Sequence, residues 1–166
     1  MSAAHDAPCS AGLLAFRRRG DLIEVFLVHP GGPLWRNKER HAWSIPKGEV
    51  EPNEPLLAAA QREFSEETGQ RIDVRESIAL TPRKSAKGKL VHAWAIEAEC
   101  DAQAVRSNCF AMEWPPRSGR LQRFPEVDRA AWFDLETARD RLHAYLAPLL
   151  DELQSLIERG EAGTDR

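Results

Sequence analysis

Three glutamates crowd one short stretch of this chain: Glu63, Glu66 and Glu67, within the run Arg62-Glu63-Phe64-Ser65-Glu66-Glu67. On an α-helix, residues three and four apart are neighbours, so the three carboxylates gather on one side. Like charges on one face repel, and such a face has two readings. The first is a solvated surface, the usual fate of a charge run. The second is a divalent cation. Mg²⁺ takes hard oxygen ligands, keeps several waters and is commonly held by a few carboxylates together with substrate phosphates. The neighbours favour the cation. Gly48 follows Pro46 and Lys47, so the chain can turn tightly and bring backbone carbonyls close to an ion. Arg62 stands four residues before Glu66; as a plain surface ion pair it would contribute under about 1 kcal/mol.

The elements around this stretch must hold it in place. Leu56, Ala59, Ala60 and Phe64 recur at helical spacing. Pro55 suits a first turn, and Gly69 is a natural C-terminal stop. Upstream, the apolar runs at residues 11–16 and 22–29 flank a charged Gly-Asp turn and predict a β-hairpin. A polar loop at residues 34–40 and a short apolar stretch at 42–45 lead to Pro46. Downstream, residues 72–80 alternate loosely as a strand, and residues 90–99 do so more firmly. A basic loop lies between them, with Arg83, Lys84, Lys87 and Lys89 broken by Gly88. Residues 114–120 carry strong breakers and read as an ordered loop. Residues 130–133 form a short strand candidate. Residues 135–159 are helical in pattern, in two pieces around 143–148. Strands first, a helix between strands and helices last predict one mixed α/β sandwich domain. Its expected bounds are residues 10–159, with flexible tails at 1–9 and 160–166.

The signature of the Nudix hydrolases is Gly, five residues, Glu, seven residues, Arg-Glu, an apolar residue, any residue, Glu-Glu, any residue, Gly. Here Gly48, Glu54, Arg62, Glu63, Phe64, Glu66, Glu67 and Gly69 stand at those positions with those gaps, so the chain resembles that family. The next position, usually apolar, is Gln70, a departure that bears on packing after the helix. The resemblance implies an α/β; Nudix-type α/β/α sandwich, with a mixed β-sheet between helices. It also implies Mg²⁺- or Mn²⁺-dependent hydrolysis of a phosphoanhydride bond in a nucleoside polyphosphate. Carried over residue by residue, Glu63, Glu66 and Glu67 are the metal ligands, with the backbone carbonyl of Gly48 or Lys47. Glu63 or Glu67 helps to deprotonate or position water, and Glu54 and Arg62 hold the loop and the helix start. The family often adds a carboxylate from a later loop, and Glu126 is the candidate here; its bland reading is an exposed loop residue.

A weaker resemblance joins residues 10–18, Trp43, Pro46-Lys47-Gly48, the Lys87-x-Lys89 step and Glu126 ahead of Trp132 to the diadenosine polyphosphate hydrolase branch. It makes a dinucleoside polyphosphate the preferred substrate. Nucleoside triphosphates, nucleotide sugars and capped RNA ends stay open as alternatives, as does a non-catalytic nucleotide-binding module. An isomerase of the same fold would call for a Cys and a Glu at its protonation site, and Cys100 and Cys109 give no support for that.

Lys47, Lys84, Lys87, Lys89 and Arg117, with Arg83, Arg120 and Arg123, are candidates to meet substrate phosphates. Any single one is more often plain surface. Trp35, in a polar loop, is the stacking candidate among five tryptophans, while Trp94 and Trp132 fall in strand patterns and read as core. The five histidines show no ligand spacing. Over 166 residues, 23 Lys plus Arg against 26 Asp plus Glu give a net charge of -3, so no global basic field draws the chain to nucleic acid or anionic membrane. No apolar run reaches the ~18–20 residues that span a bilayer, and residues 1–8 carry no signal-peptide pattern. Cys9, Cys100 and Cys109 lack metal-ligand spacing, and so sparse a set points to a reducing compartment. The expected setting is a cytoplasmic protein with a small nucleotide as substrate, no membrane or nucleic-acid partner, and possible homodimerisation.

Overall fold

The computed structural model describes residues 7–162. Strands β1 (Cys9–Arg19) and β2 (Leu22–Pro30) form the expected hairpin, with Arg19 opposite Leu22 across the turn. The short β3 (Lys47–Glu49) pairs antiparallel with the start of β1. Helix α1 (Leu56–Thr68) follows, then β4 (Ile78–Ala79), β5 (Arg83–Lys84) and β6 (Leu90–Glu97). Strands β7 (Cys109–Glu113) and β8 (Leu121–Pro125) pair only with each other. The chain ends in β9 (Val127–Asp134), α2 (Leu135–Arg141) and α3 (Pro148–Glu158).

The main sheet runs β4-β6-β1-β2-β9, with β3 on β1 and β5 on β6. Only β1 and β6 are parallel, so the sheet is mixed. Residues of β1 are buried without a break from Cys9 to Phe16. That pattern belongs to a central strand covered on both faces. Ala11, Leu13 and Ala15 point to one side, where Ala59, Ala60 and Phe64 of α1 pack on them. Leu14 and Phe16 point to the other side, against Leu142, Leu149, Leu150 and Leu153 of the C-terminal helices. Each fully buried large apolar side chain contributes about 1.5–3 kcal/mol. The two small alanines let α1 approach the sheet closely, and Glu63 and Glu67 of its acidic face lie against β3, which pairs with the start of β1.

Several boundaries differ from the sequence reading. Residues 72–77 are not strand: the Asp73 carboxylate accepts from the Arg75 N–H, and Ser77 N–H donates to the Val74 carbonyl. Such local bonds offer the backbone an alternative to a ladder. Residues 114–120 are the turn of a ribbon whose two strands, β7 and β8, the sequence reading leaves out. Pro55 stands just before the first residue of α1, and Gly69 ends the helix at φ 74. The tails expected at 1–9 and 160–166 fall partly on residues 1–6 and 163–166, outside the described residues. Of the remainder, Cys9 is buried in β1 and Ala162 is buried against the C-terminal helix. Gln70, the departure from the signature, bridges to Asp101: its amide N–H donates to the Asp101 carbonyl (2.7 Å) and its carbonyl accepts the Asp101 N–H (2.9 Å). A polar clamp thus replaces an apolar contact and ties the end of α1 to the segment after β6.

Candidate active site

Arg62 organises the acidic face of α1. Its guanidinium holds Glu54 through two bonds, Nε to Oε2 (2.8 Å) and Nη2 to Oε1 (2.9 Å). Nη1 reaches Glu63 (2.7 Å) and Glu66 (3.1 Å), and Nη2 also donates to the Glu49 carbonyl (3.0 Å). Only a planar fork offers donors in all these directions. Glu54 in turn accepts the Glu51 N–H, so the loop before the helix is locked to the helix. The Arg62 guanidinium holds the Glu54 carboxyl below its ordinary range, and the guanidinium pKa is itself raised, chiefly by Glu54.

Gly48 lies against the Glu63 carboxylate. A Cβ built there would sit 2.0 Å from a Glu63 oxygen, so any other residue would push the Glu63 carboxylate aside. One residue earlier, Lys47 N–H donates to Glu67 Oε2 (3.1 Å). Burial pushes the Glu67 carboxyl up to about 8, and the charges of Glu63 and Glu126 push the same way against Lys47. Burial also raises Glu63, with Glu66 and Glu126 adding to it against Arg62. The Lys47 ammonium is pulled down, again by burial first.

Glu126 arrives from the other side of the molecule, between β8 and β9. Its N–H donates to the Asn108 carbonyl (2.8 Å), and its carbonyl accepts the Gly31 N–H (2.9 Å). Asn108 N–H in turn donates to the Glu66 carbonyl at the end of α1 (3.0 Å). This chain of main-chain bonds joins the ribbon base to the helix and sets Glu126 opposite the helical carboxylates. The Glu126 carboxyl is raised by partial burial and by the charge of Glu66. A cleft of about 150 Å³ has Lys47, Glu67, Glu126 and His143 in its lining. His143 was given no role from the sequence; burial and the Lys47 charge hold its pKa down. Its place in the cleft comes from the bend between α2 and α3, a break that the sequence pattern marks without singling out the histidine.

The other sequence candidates divide. Lys89 reaches the flank of the site, its ammonium 3.6 Å from Glu49. Lys84, in β5, and Lys87, in the turn after it, are exposed. Arg117 sits at the tip of the ribbon, past all five residue pairs that separate the tip from Pro125. At about 3.4 Å per residue that is on the order of 14 Å or more from Glu126. Arg117 is therefore not gathered with the carboxylates. Trp35 is half-buried, edge-on to His143 (5.7 Å between ring centres), with the Lys38 ammonium 5.0 Å from its own ring centre. Its neighbours across the cleft are Phe110 and Met112 of β7, which the sequence reading passed over. Their period-two spacing in the run Phe110-x-Met112-x-Trp114 was the available signal.

The family model described as NUDIX domain matches residues 8–153. The chain belongs to the Nudix family. It is 31% identical over 134 residues to the octanoyltransferase of Myxococcus xanthus, a match covering 80% of this chain and 32% of that protein. It is 35% identical over 83 residues to the asymmetrical bis(5'-nucleosyl)-tetraphosphatase of Caenorhabditis elegans, covering 48% of this chain and 56% of that one. The chain thus spans about a third of the first relative and just over half of the second. Among solved structures it is similar to a C. elegans Ap4A hydrolase binary complex, with TM-score 0.62 and 22% identity over 90% of this chain and 98% of that one. It is equally similar to the NUDIX domain of Shewanella oneidensis NrtR complexed with ADP ribose, with TM-score 0.62 and 14% identity over 90% and 87% of the two chains. These likenesses establish the α/β Nudix fold. Among the described residues, no helix is long and apolar enough to cross a membrane.

Nudix hydrolases generally depend on divalent metal, and the residues here fit such an ion. Among the described residues, no three His, Cys, Asp or Glu side chains are gathered into a group that could hold a metal ion by itself. What they form is an open set of carboxylates that raise one another's pKa across a cleft. Hard oxygen donors in an incomplete shell suit Mg²⁺ or Mn²⁺ better than a softer ion.

Proposed function

We propose that this chain is a pyrophosphohydrolase that cleaves a phosphoanhydride bond in a nucleoside polyphosphate, with a dinucleoside polyphosphate such as diadenosine tetraphosphate preferred. The observation that carries the reading is the convergence of Glu67 and Glu126 with Lys47 at one cleft, with Glu63 close enough for its charge to act on Glu67, where burial raises the carboxyl pKa values. Carboxylates gathered against their own repulsion point to a cationic partner. Glu63, Glu66, Glu67 and Glu126, with the backbone of Gly48, hold Mg²⁺ or Mn²⁺. When bound, such an ion would supply charge neutralisation at the phosphoryl oxygens and would lower the pKa of water.

The remaining roles belong to the chain. Lys47, anchored beside Glu67, binds a phosphate oxygen of the substrate, and Lys89 adds positive field at the loop. Glu63 and Glu67 are the candidates to take the proton of the attacking water. Both carry raised pKa values, which makes them better bases than an ordinary carboxylate once ionised. Arg62 and Glu54 fix the helix start, and Trp35 offers its ring to a base. The likeness to the C. elegans tetraphosphatase supports the choice of substrate.

The test is hydrolysis of diadenosine tetraphosphate by the purified chain with Mg²⁺ or Mn²⁺, reading release of ATP and AMP. Good turnover of simple triphosphates with none of the dinucleotide would sink the substrate preference. A second reading, action at an RNA 5′ end, draws on the RNA pyrophosphohydrolase of Bartonella henselae, 25% identical over 146 residues and matched over 76% of its length. Faster turnover of a 5′-triphosphate RNA than of the dinucleotide would favour it.

A further inference from the structure

The joint between β2 and β9 is irregular just where Glu126 enters the sheet. His29 pairs with Arg129 and Pro30 with Val127, so β9 moves two residues while β2 moves one. Asp128 is the extra residue of this β-bulge. A one-residue insertion exchanges the two faces of a strand for everything beyond it. Accordingly Val127 and Ala130, three residues apart, pack in the same core cluster as Ala59, Ala60 and Phe64 of α1. Pro30 has no N–H to give to a ladder and suits the break.

A histidine holds the bulge. His29 has no exposed surface and lies edge-on to Trp43, with 5.1 Å between ring centres. Its Nε2 is 2.6 Å from the Lys38 carbonyl, which can only accept, so this nitrogen donates. Its Nδ1 faces Asp128 Oδ1 at 3.0 Å. The second Asp128 oxygen accepts from Arg129 Nη1 (3.3 Å), and the Arg129 guanidinium also holds Glu39. Two residues of the loop after β2, Lys38 and Glu39, are thereby tied to the bulge. Trp35 belongs to the same loop, and its carbonyl accepts the Lys38 N–H (3.0 Å).

We infer that His29 and Asp128 are positioning residues of the candidate site: bonded to each other at the bulge, they set the direction of Glu126 and tie the loop carrying Trp35 to the same point. The inference rests on the metal-dependent reading of the carboxylates and adds two residues that do not line their cleft. A buried imidazole needs partners for both nitrogens, and an apolar side chain would fill the space without that demand. What the polar pair fixes is therefore its reason to be there. Main-chain bonds to Gly31 and Asn108 settle where the Glu126 backbone stands. They do not settle which way the strand faces; the bulge does. Without it the strand would slip by one residue, and Glu126 would turn to the other face, away from Glu67 and Lys47.

The test uses the full chain, with Mn²⁺ binding measured by calorimetry and amide exchange by NMR. Asp128 is part-exposed, so truncating it spares the core. Asp128→Ala should weaken Mn²⁺ binding roughly 10-fold, as loss of an outer partner of a metal ligand does, while Asp128→Asn should stay within about three-fold. A cycle with Glu126→Gln decides the route. If Asp128 acts through Glu126, Asp128→Ala should cost nothing further in the Glu126→Gln background. An equal loss in both backgrounds would overturn the inference. So would equal weakening by Asn and Ala, which would point to the lost charge rather than the lost bond. Amide exchange reads the bulge without any ion. In Asp128→Ala the Gly31 and Glu126 amides should exchange faster, while those of the β1–β6 ladder keep their rates. Unchanged exchange at Gly31 and Glu126 would overturn the inference whatever the ion does. If the parent binds no Mn²⁺, the metal reading falls, and faster exchange at these two amides still upholds the positioning of Glu126.

Discussion

The two sides of the cleft are built on opposite plans. On the helix side, nearly every functional group is a charged side chain bonded to another: Arg62 to Glu54, Glu63 and Glu66, and Lys47 to Glu67 through its N–H. On the ribbon side the cleft is tied together by main-chain bonds and apolar contacts, with Glu126 the one acid in its lining. Charged side chains need fixed identities at fixed spacing, whereas a backbone tether and an apolar wall accept many sequences. A site divided in this way can keep its chemistry constant while its guest changes.

The largest effect separates the two plans most sharply. Glu66→Gln with Glu67→Gln should lower kcat by on the order of 10²–10³-fold or more while the protein stays folded. Folding survives because Glu67 is already poorly ionised in its buried position, so a neutral amide costs little there. Activity within ten-fold of the parent would break the assignment of the helix side. Two glycine substitutions come next. Gly48→Ala drives a Cβ into the Glu63 carboxylate, and Gly31→Ala drives one into the Pro125 carbonyl. Both should cut kcat/KM by roughly 10- to 100-fold, but differently: misplaced carboxylates lower kcat, whereas a displaced ribbon also raises KM for nucleotides. The same kcat–KM pattern for both would deny the division.

Arg62→Ala leaves Glu54, Glu63 and Glu66 without their shared partner. Because these groups are partly buried, stability should fall by about 2–3 kcal/mol, measured by urea unfolding. Arg62→Lys should recover little of it, since an ammonium cannot reproduce the fork. Full recovery with lysine would mean that charge alone matters there.

Burial of Glu67 gives a pH signature with a definite sign. Its folded pKa, about 8, lies above the ordinary carboxylate value. The stability it contributes is therefore fully present below pH 4.5 and lost as pH rises through about 8. In chelator the melting temperature should fall across that window by on the order of 5 °C, and in Glu67→Gln by less. Saturating Mg²⁺ should flatten the slope, because a bound cation favours the ionised form. Identical slopes for parent and variant in chelator would show that Glu67 is not the buried acid.

How much of this was legible in the sequence follows the same division. Glu54, Arg62, Glu63, Glu66 and Glu67 could be read because their partners lie within one helix and one preceding loop, so spacing in the chain is spacing in space. The β1–β2 hairpin and the α1 helix were legible for the same local reason, as were the terminal helices broken around His143. The ribbon was not, because Trp114-Pro115-Pro116 and Gly119 advertise a turn while the strands beside it are short and exposed on most positions. Residues 72–77 misled in the other direction: their loose alternation suggested a strand, but Asp73 and Ser77 bond locally instead. Glu126 was a candidate ligand through the family resemblance alone; what sets it opposite α1 is a main-chain bridge through Asn108, and main-chain bonds leave no mark on residue type.

The smallest effects test whether nearness to one side or the other matters at all for the basic residues. Lys89 and Arg117 are both cations that the sequence reading assigned to substrate phosphates. Lys89 faces Glu49 at the end of β3, next to Gly48, and its charge reaches Lys47. Arg117 lies beyond the ribbon on the order of 14 Å or more from Glu126, further than a Debye length of about 8 Å at physiological salt. Lys89→Ala should therefore raise KM a few-fold at low salt and less at high salt. Arg117→Ala should change KM by about two-fold at most for small nucleotides, and stability by under about 0.5 kcal/mol. Paired KM measurements at low and physiological salt read both. A larger penalty from Arg117 than from Lys89 would mean that the ribbon folds inward over bound phosphates, and that its tip joins the helix side of the site once substrate is present.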